Sequence, residues 1–371
     1  MKIKKDIKLD LIRVLAIVGV VTLHVAEGVN LDKLGTIYKV IIYLMLAISR
    51  CSVNLFGLLS GYLKIDRQQH HTSVLRIVFE TVFWCLIMSI IGCIFFGLKS
   101  PSQILYNAFP ILNDRLWYIT CYCFVFLCAP YLNLLAAHLS KSGYKKLLMI
   151  LTVLMCIIPT IGMIDAFHIA YHGYSAGWLM FMYLLGGYFK LYGFSRTCKK
   201  PIAFLILLIS VCVMVASLLG LQKFVSPFMT ELGINFDGTI LYNWYNSPLV
   251  LLNSIIVFYL CVNANEIKNF AVRKVISWVS TVSLGVYIIH AHPIVLDYVL
   301  IDNNLGWVAQ WNPAVMIPIV FGLVLCVVAI TGLLEQLRMV LFKICRIDKA
   351  TRKLGSKMDE RLSIHKKVSG D

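Results

Sequence analysis

The sequence predicts an all-α polytopic membrane protein with about ten transmembrane helices and both termini in the cytoplasm. Three observations carry that prediction. Of 371 residues, 60% are apolar and only 14% charged, with mean hydropathy +0.82. Soluble domains carry about 25% charged residues and about 45–50% apolar ones. The apolar residues fall into ten runs, near 9–29, 38–63, 74–96, 116–139, 146–164, 174–193, 201–221, 247–264, 274–295 and 314–342. Each approaches the roughly 20 helical residues that span a hydrocarbon core. Finally, 28 of the 34 Lys and Arg lie at the N-terminus, in alternate connections and in the tail from Arg338. That asymmetry is the positive-inside pattern, and it puts both ends on the cytoplasmic side.

The first run follows a basic start, as a signal peptide would. It is long and polar-studded, and no A-x-A-like cleavage site follows, so it reads as the first span. Residues 1–342 form one membrane domain and 343–371 a basic cytoplasmic tail, with 296–313 open to a partly re-entrant course. The formal charge of +16 is a topology signal and an attraction to anionic lipid, not a nucleic-acid patch. Twelve cysteines sit mostly in apolar runs without C-x-x-C or metal-ligand spacing, so neither a disulfide framework nor a metal site is expected.

The first run, "LDLIRVLAIVGVVTLHVAEGV", carries Asp10, Arg13, His24 and Glu27. Each such residue costs roughly 2.5–3.5 kcal/mol at the bilayer centre. Arg13 and His24 are eleven residues apart, hence roughly 20° apart around the helix and roughly 16 Å along it, with Asp10 and Glu27 within about 60°. One polar stripe on an otherwise apolar helix belongs against protein or a wet cavity. Singly, each residue has a plainer reading: Arg13 snorkels, His24 is a hydrogen-bonded core histidine, and Glu27 is solvated.

Arg50 lies inside the second run and needs a partner or a ligand; Gly57 and Gly61, four apart, read as helix packing. The third run opens with Arg76 and Glu80 at i, i+4, a pair that can satisfy itself while Arg76 adds a cation at the cytoplasmic mouth. His70 and His71 before it read as solvated. Trp117 and Tyr118 open the fourth run and fit either an interfacial aromatic belt or the wall of a substrate cavity. His290 and His292 close the ninth at i, i+2, pointing apart, one to the cavity and one to the interface. Jointly, cations at 13, 50 and 76 with histidines at 24 and 290 describe a polar interior suited to an anionic molecule.

These stretches resemble the bacterial acyltransferase-3 family of integral membrane O-acyltransferases. "LDLIRVLAIVGVVTLH" is similar to its N-terminal Asp, Arg, ten residues, His signature; "SRCSVNLFGLLSGYL" to its second-helix motif; "LWYITCYCFVFLCAPYL", "FMYLLGGYF" and "SLGVYIIHAHPIV" to later segments, in order over roughly residues 7–295. Departures are Asn54 for the usual proline, Gly57 for an aromatic, and Ser73 for the first arginine of an Arg-x-x-Arg pair whose second is Arg76. One donor-binding cation is then either missing or supplied from elsewhere, such as by Arg67.

The resemblance implies transfer of an acetyl or other short acyl group from acyl-CoA to a hydroxyl of a sugar or cell-envelope glycan, in the bacterial cytoplasmic membrane. Arg13 and Arg76, with Asp10, would hold the donor phosphates, and its arm would run along Val14–Leu23. His24 would act as general base, Arg50 would stabilise the oxyanion or hold the donor, and Glu27 would orient the acceptor or the imidazole. Trp117, Tyr118 and His290 would line the cavity. The expected partners are acyl-CoA, the glycan and lipid, with no metal. The rival reading is a transporter or flippase for glycan or lipid-linked precursors, against which the chain shows no inverted repeat.

Overall fold

The structure is a computed structural model, and it describes residues 6–29, 34–67, 72–97, 100–109, 116–162, 170–194, 198–233, 238–301 and 305–361. His70 and His71 lie outside these. The described residues form helices and contain no strand. Among them, nine helices are long and apolar enough to cross a membrane.

Helix α1 (Ile7–Glu27) starts where the Asp6 carboxylate accepts the Lys8 N–H, and it is the hub of the bundle. The second run divides at Arg50–Cys51 into α2 (Thr36–Ser49) and α3 (Ser52–Lys64). Then follow α4 (Thr72–Phe95), the short α5 (Pro101–Ala108) and α6 (Trp117–His138). A further span runs through α7 (Lys141–Thr152), a π-helical turn, and α8 (Ile158–Gly162).

The run at 174–193 becomes α9 (Ala176–Tyr192), only 17 residues and roughly 25 Å long, capped by the Ser175 hydroxyl. Ten of its residues are buried in the bundle, and it is not among the nine helices long and apolar enough to cross a membrane, so the ten apolar runs give nine candidate spans among the described residues. The next span joins α10 (Lys200–Gly220), a π-helical turn and α11 (Ser226–Glu231). After it come α12 (Ile240–Asn243), α13 (Pro248–Val262) and α14 (Phe270–His290). Beyond α15 (Pro293–Val295), Leu296–Ile301 form a π-helical turn and Leu305–Gln310 a 3₁₀ turn, and Leu305 N–H donates to the Gly28 carbonyl at the end of α1 at 3.0 Å. The last span is α16 (Pro313–Ile344), opened by an Asn312 cap.

Arg338, counted with the tail cations, is buried inside α16, which ends at Ile344, and residues Ile347–Arg361 form α17, which packs on the start of α4. The Gly57/Gly61 reading as packing is met by α9. A Cβ at Gly57 would strike Met182, one at Gly61 the Tyr183 carbonyl, and one at Gly186 the Leu58 carbonyl. Helices α3 and α9 thus touch backbone to backbone and run parallel. Asn54, where the family has proline, is fully buried and ties this pair to α13. Its amide donates to the Tyr245 carbonyl (2.9 Å) and Ser254 Oγ (3.1 Å), and its oxygen accepts from Trp178 Nε1 (2.8 Å). Elsewhere large side chains such as Phe95, Leu205, Leu333 and Leu337 stand exposed, the surface a bilayer requires.

Candidate active site

A cavity of about 360 Å³ opens on the basic side of the bundle. Its walls follow from helical spacing. Ser73, Arg76, Ile77 and Glu80 share one face of α4, while Tyr118, Tyr122 and Phe126 recur at i, i+4 and i+8 on α6. Ser280, Ser283, Leu284 and Tyr287 do the same on α14. From Ser280 to Tyr287 is about 10.5 Å of rise, enough to carry a slender ligand from the mouth into the membrane.

Three cations line the cavity: Arg13, Arg76 and Lys64. Asp10 does not face the cavity. It is buried and anchors the first of these cations, with Arg13 Nη1 at 3.1 Å from its Oδ1 and Ser280 Oγ donating to the same oxygen at 2.7 Å. Arg67 is exposed, and its carbonyl accepts from Asn133; it is Lys64 that lines the cavity beside Ser73, its Nζ 3.9 Å from the Phe126 ring centre. Sequence reasoning counted Lys64 only as a topology charge. The available signal was Phe56, Ser60 and Lys64 at four-residue spacing, one face of α3.

The stripe Val14–Leu23 does not carry the cavity wall. Ala16, Ile17, Val20, Val21 and Leu23 are buried among neighbouring helices, and the wall comes from α4, α6 and α14 instead. Tyr118 is a cavity residue rather than part of an interfacial belt; it is 6% exposed, and its hydroxyl has no hydrogen-bond partner among the described residues. Trp117 packs on Tyr174, with centroids 4.7 Å apart.

At the inner end of the cavity Tyr118 meets Tyr287 (5.4 Å), and Tyr287 meets His290 edge-on (6.0 Å). His290 lies 5.1 Å from His24, centroid to centroid. The two histidines, 266 positions apart in the chain, thus form one pair. His290 Nδ1 sits 2.6 Å from the Val286 carbonyl. A carbonyl only accepts, so Nδ1 carries the proton and Nε2 keeps its lone pair, with no partner among the described residues. His24 Nδ1 is likewise buried without a partner. His292, expected at the interface or the cavity, is instead buried, and its Nδ1 accepts the Ile294 N–H.

Arg50 finds its counter-charge in Glu27, N to O 3.5 Å; the Arg50 side chain is 7% exposed and that of Glu27 42%. The Arg50 Nε has no hydrogen-bond partner among the described residues. Arg76 and Glu80 do not form the expected self-contained pair. Glu80 faces Arg338 at 3.2 Å, and Arg338 also holds both oxygens of Glu335, which accepts from Trp84 Nε1 at 2.9 Å. Glu80 and Glu335 both border the cavity. No cluster of three or more His, Cys, Asp or Glu capable of holding a metal ion occurs among the described residues.

The described helices thus hold a cavity with cations at its mouth and, past Tyr287, a pair of buried imidazoles. The family of acyltransferase domains, acyltransferase-3, matches residues 6–333, and the chain belongs to that family: it is a membrane acyltransferase. Comparison with curated proteins gives no match, and neither does comparison with solved structures.

Proposed function

We propose that the protein transfers an acetyl or other short acyl group from acyl-CoA to a hydroxyl of a sugar or cell-envelope glycan, in the cytoplasmic membrane of a bacterium. The observation that carries this reading is a cavity with Arg13, Lys64 and Arg76 at its mouth and Tyr287 on its inner wall, the ring that packs on His290 of the His24–His290 pair.

An acyl-CoA is polyanionic at its nucleotide end and slender and largely uncharged along its arm. Guanidinium forks held as Arg13 is by Asp10 suit the phosphates, and Lys64 adds a point charge. The arm then follows the Tyr122–Tyr118–Tyr287 wall, which brings the thioester toward the imidazoles. His24 takes the proton of the acceptor hydroxyl as its oxygen bonds to the thioester carbonyl carbon. The tetrahedral oxyanion meets Arg50, whose Nε–H is left over from its pairing with Glu27. Collapse breaks the carbon–sulfur bond, and the CoA thiolate takes the proton from the His24 imidazolium, so the enzyme returns to its starting state. Glu27 acts on Arg50 rather than on the imidazole. His290, its Nδ1–H spent on Val286, offers only its Nε2 lone pair and so can accept a proton or hydrogen bond at the pair.

The test uses the purified chain in nanodiscs, titrated with acetyl-CoA and free CoA by calorimetry. Wild type and His24→Ala should bind saturably, Arg13→Ala and Lys64→Ala should bind at least tenfold more weakly, and only His24→Ala should bind donor yet release no CoA in the presence of acceptor. A wild type that ignores acetyl-CoA and longer acyl-CoAs removes the donor from this reading.

A further inference from the structure

The buried cluster beside the cavity holds one carboxylate more than its cation requires. Arg338 carries a single positive charge and faces both Glu335 and Glu80. Glu335 already answers that charge. Both of its oxygens accept Arg338 Nε, at 3.2 and 3.0 Å, and Oε2 also accepts Trp84 Nε1 at 2.9 Å. It is closed in from α14 as well, where a Cβ at Gly285 would strike its carboxylate. Glu80 is the surplus member. One of its oxygens has Arg338 Nη2 at 3.2 Å, and it lies against the Glu335 carboxyl. No neutral N–H or O–H among the described residues bonds to it.

An ionised carboxylate offers about four acceptor sites, and a residue 3% exposed has little water to fill them. Glu80 nevertheless borders the cavity, on the face of α4 that carries Ser73, Arg76 and Ile77. It stands one turn inward from Arg76, roughly 6 Å along the axis. Charge alone makes this a poor place for a carboxylate, because a polyanion held by Arg13, Lys64 and Arg76 would repel it. A ligand with hydrogen-bond donors at that depth removes the conflict.

Acyl-CoA has donors in that place. Inward from its pyrophosphate the pantetheine arm is uncharged. It bears a hydroxyl on the third carbon from the phosphate ester, an amide N–H directly after, and a second amide N–H before the sulfur. The hydroxyl and the first amide lie about as far from the phosphate as Glu80 lies from Arg76, roughly one helical turn. We infer that Glu80 is a specificity-determining residue of the donor site and that its carboxylate accepts the O–H and N–H donors of the pantetheine arm. The cavity then selects a donor with an amide-bearing arm over an equally anionic molecule whose arm is plain hydrocarbon. This rests on the acyl-CoA reading and adds to it a reader of the arm, distinct from the cations that hold the phosphates.

The test is calorimetry on the full chain in nanodiscs with CoA and with adenosine 3′,5′-bisphosphate, an anionic nucleotide without the arm. Glu80→Leu removes every acceptor and leaves Arg338 balanced by Glu335. It should weaken CoA at least about tenfold and leave the bisphosphate unchanged or bound more tightly. Charge alone demands the opposite for CoA, since deleting a carboxylate beside a polyanion tightens both ligands. Glu80→Gln discards the charge but keeps an acceptor oxygen, so it should retain most of the CoA affinity; it also serves should the leucine variant fail to fold. If Glu80→Leu binds CoA as tightly as wild type or more so, or loses both ligands alike, Glu80 does not read the arm and the inference is refuted. The same holds if Glu80→Gln loses CoA as fully as Glu80→Leu does. A wild type that binds neither ligand removes the acyl-CoA donor and this inference with it, whereas one that binds both while the variants do not separate them removes the inference alone.

Discussion

Replacing Arg338 by methionine keeps an unbranched apolar stem but removes the cation between two carboxylates. Arg338, Glu80 and Glu335 are each about 3% exposed or less, so little water can take over its role, even though Glu80 and Glu335 border the cavity. At 3.2 Å, the Arg338–Glu80 attraction alone is about 5 kcal/mol for an effective dielectric of about 20, before the bonds to Glu335 are added. Desolvation offsets much of that gain in the intact cluster, but the loss of one member leaves the others uncompensated, at about 3–5 kcal/mol. Arg338→Met should therefore destabilise the protein by that amount, measured as the midpoint of SDS-induced unfolding in mixed micelles. Adding Glu80→Gln and Glu335→Gln to the same chain should recover most of the loss, because no buried charge then remains, and the recovery should be strongly non-additive. If Arg338→Met stays within about 1 kcal/mol of wild type, or the triple variant is no more stable than the single one, the cluster is hydrated and this reasoning is wrong.

Two further predictions come from neighbouring contacts. Asp10→Ala frees Arg13 and Ser280 from a shared oxygen; a hydrogen bond to a charged group contributes about 1.5–3 kcal/mol, so acetyl-CoA affinity should fall at least about tenfold while Arg13 itself is retained. Unchanged affinity in the calorimeter would show that Arg13 needs no anchor. Gly61→Ala pushes a methyl group onto the Tyr183 carbonyl and should cost at least about 1–3 kcal/mol, seen as a lower thermal midpoint. Gly322→Ala, in α16 with open space around it, should leave the midpoint unchanged or raise it slightly; equal effects at the two positions would refute the close α3–α9 approach.

Much of this arrangement is legible before any coordinates, and the boundary of legibility has a physical origin. A bilayer makes apolar length and buried charge expensive to misplace, so the spans and the residues Arg13, His24, Arg50 and His290 announce themselves locally. Helical periodicity then assigns each residue a face. It does not say what stands opposite that face. Glu80 has Arg76 one turn away in sequence, yet its carboxylate turns to Arg338, 258 positions on, because that guanidinium is buried and must be neutralised. Lys64 ends a helix on the basic side, where a topology cation and a ligand-binding cation have the same sequence signature. Only the Phe126 ring and the cavity beside it separate the two readings.

The same limit explains why the stretch Val14–Leu23, expected to line the donor path, does not line the cavity. A stripe on α1 that is polar at both ends and apolar between looks like a conduit, but its apolar residues are consumed by packing at the hub of the bundle. The helix that carries His24 is packed from several sides, and a helix so held has little surface left to line a cavity. The cavity wall therefore falls largely to α4, α6 and α14, whose inward faces carry serines and tyrosines that packing does not exhaust. On the acyl-transfer proposal, the group that would do the chemistry and those that would guide the ligand then come from different helices, with His24 on α1 and the Tyr122–Tyr118–Tyr287 wall on α6 and α14.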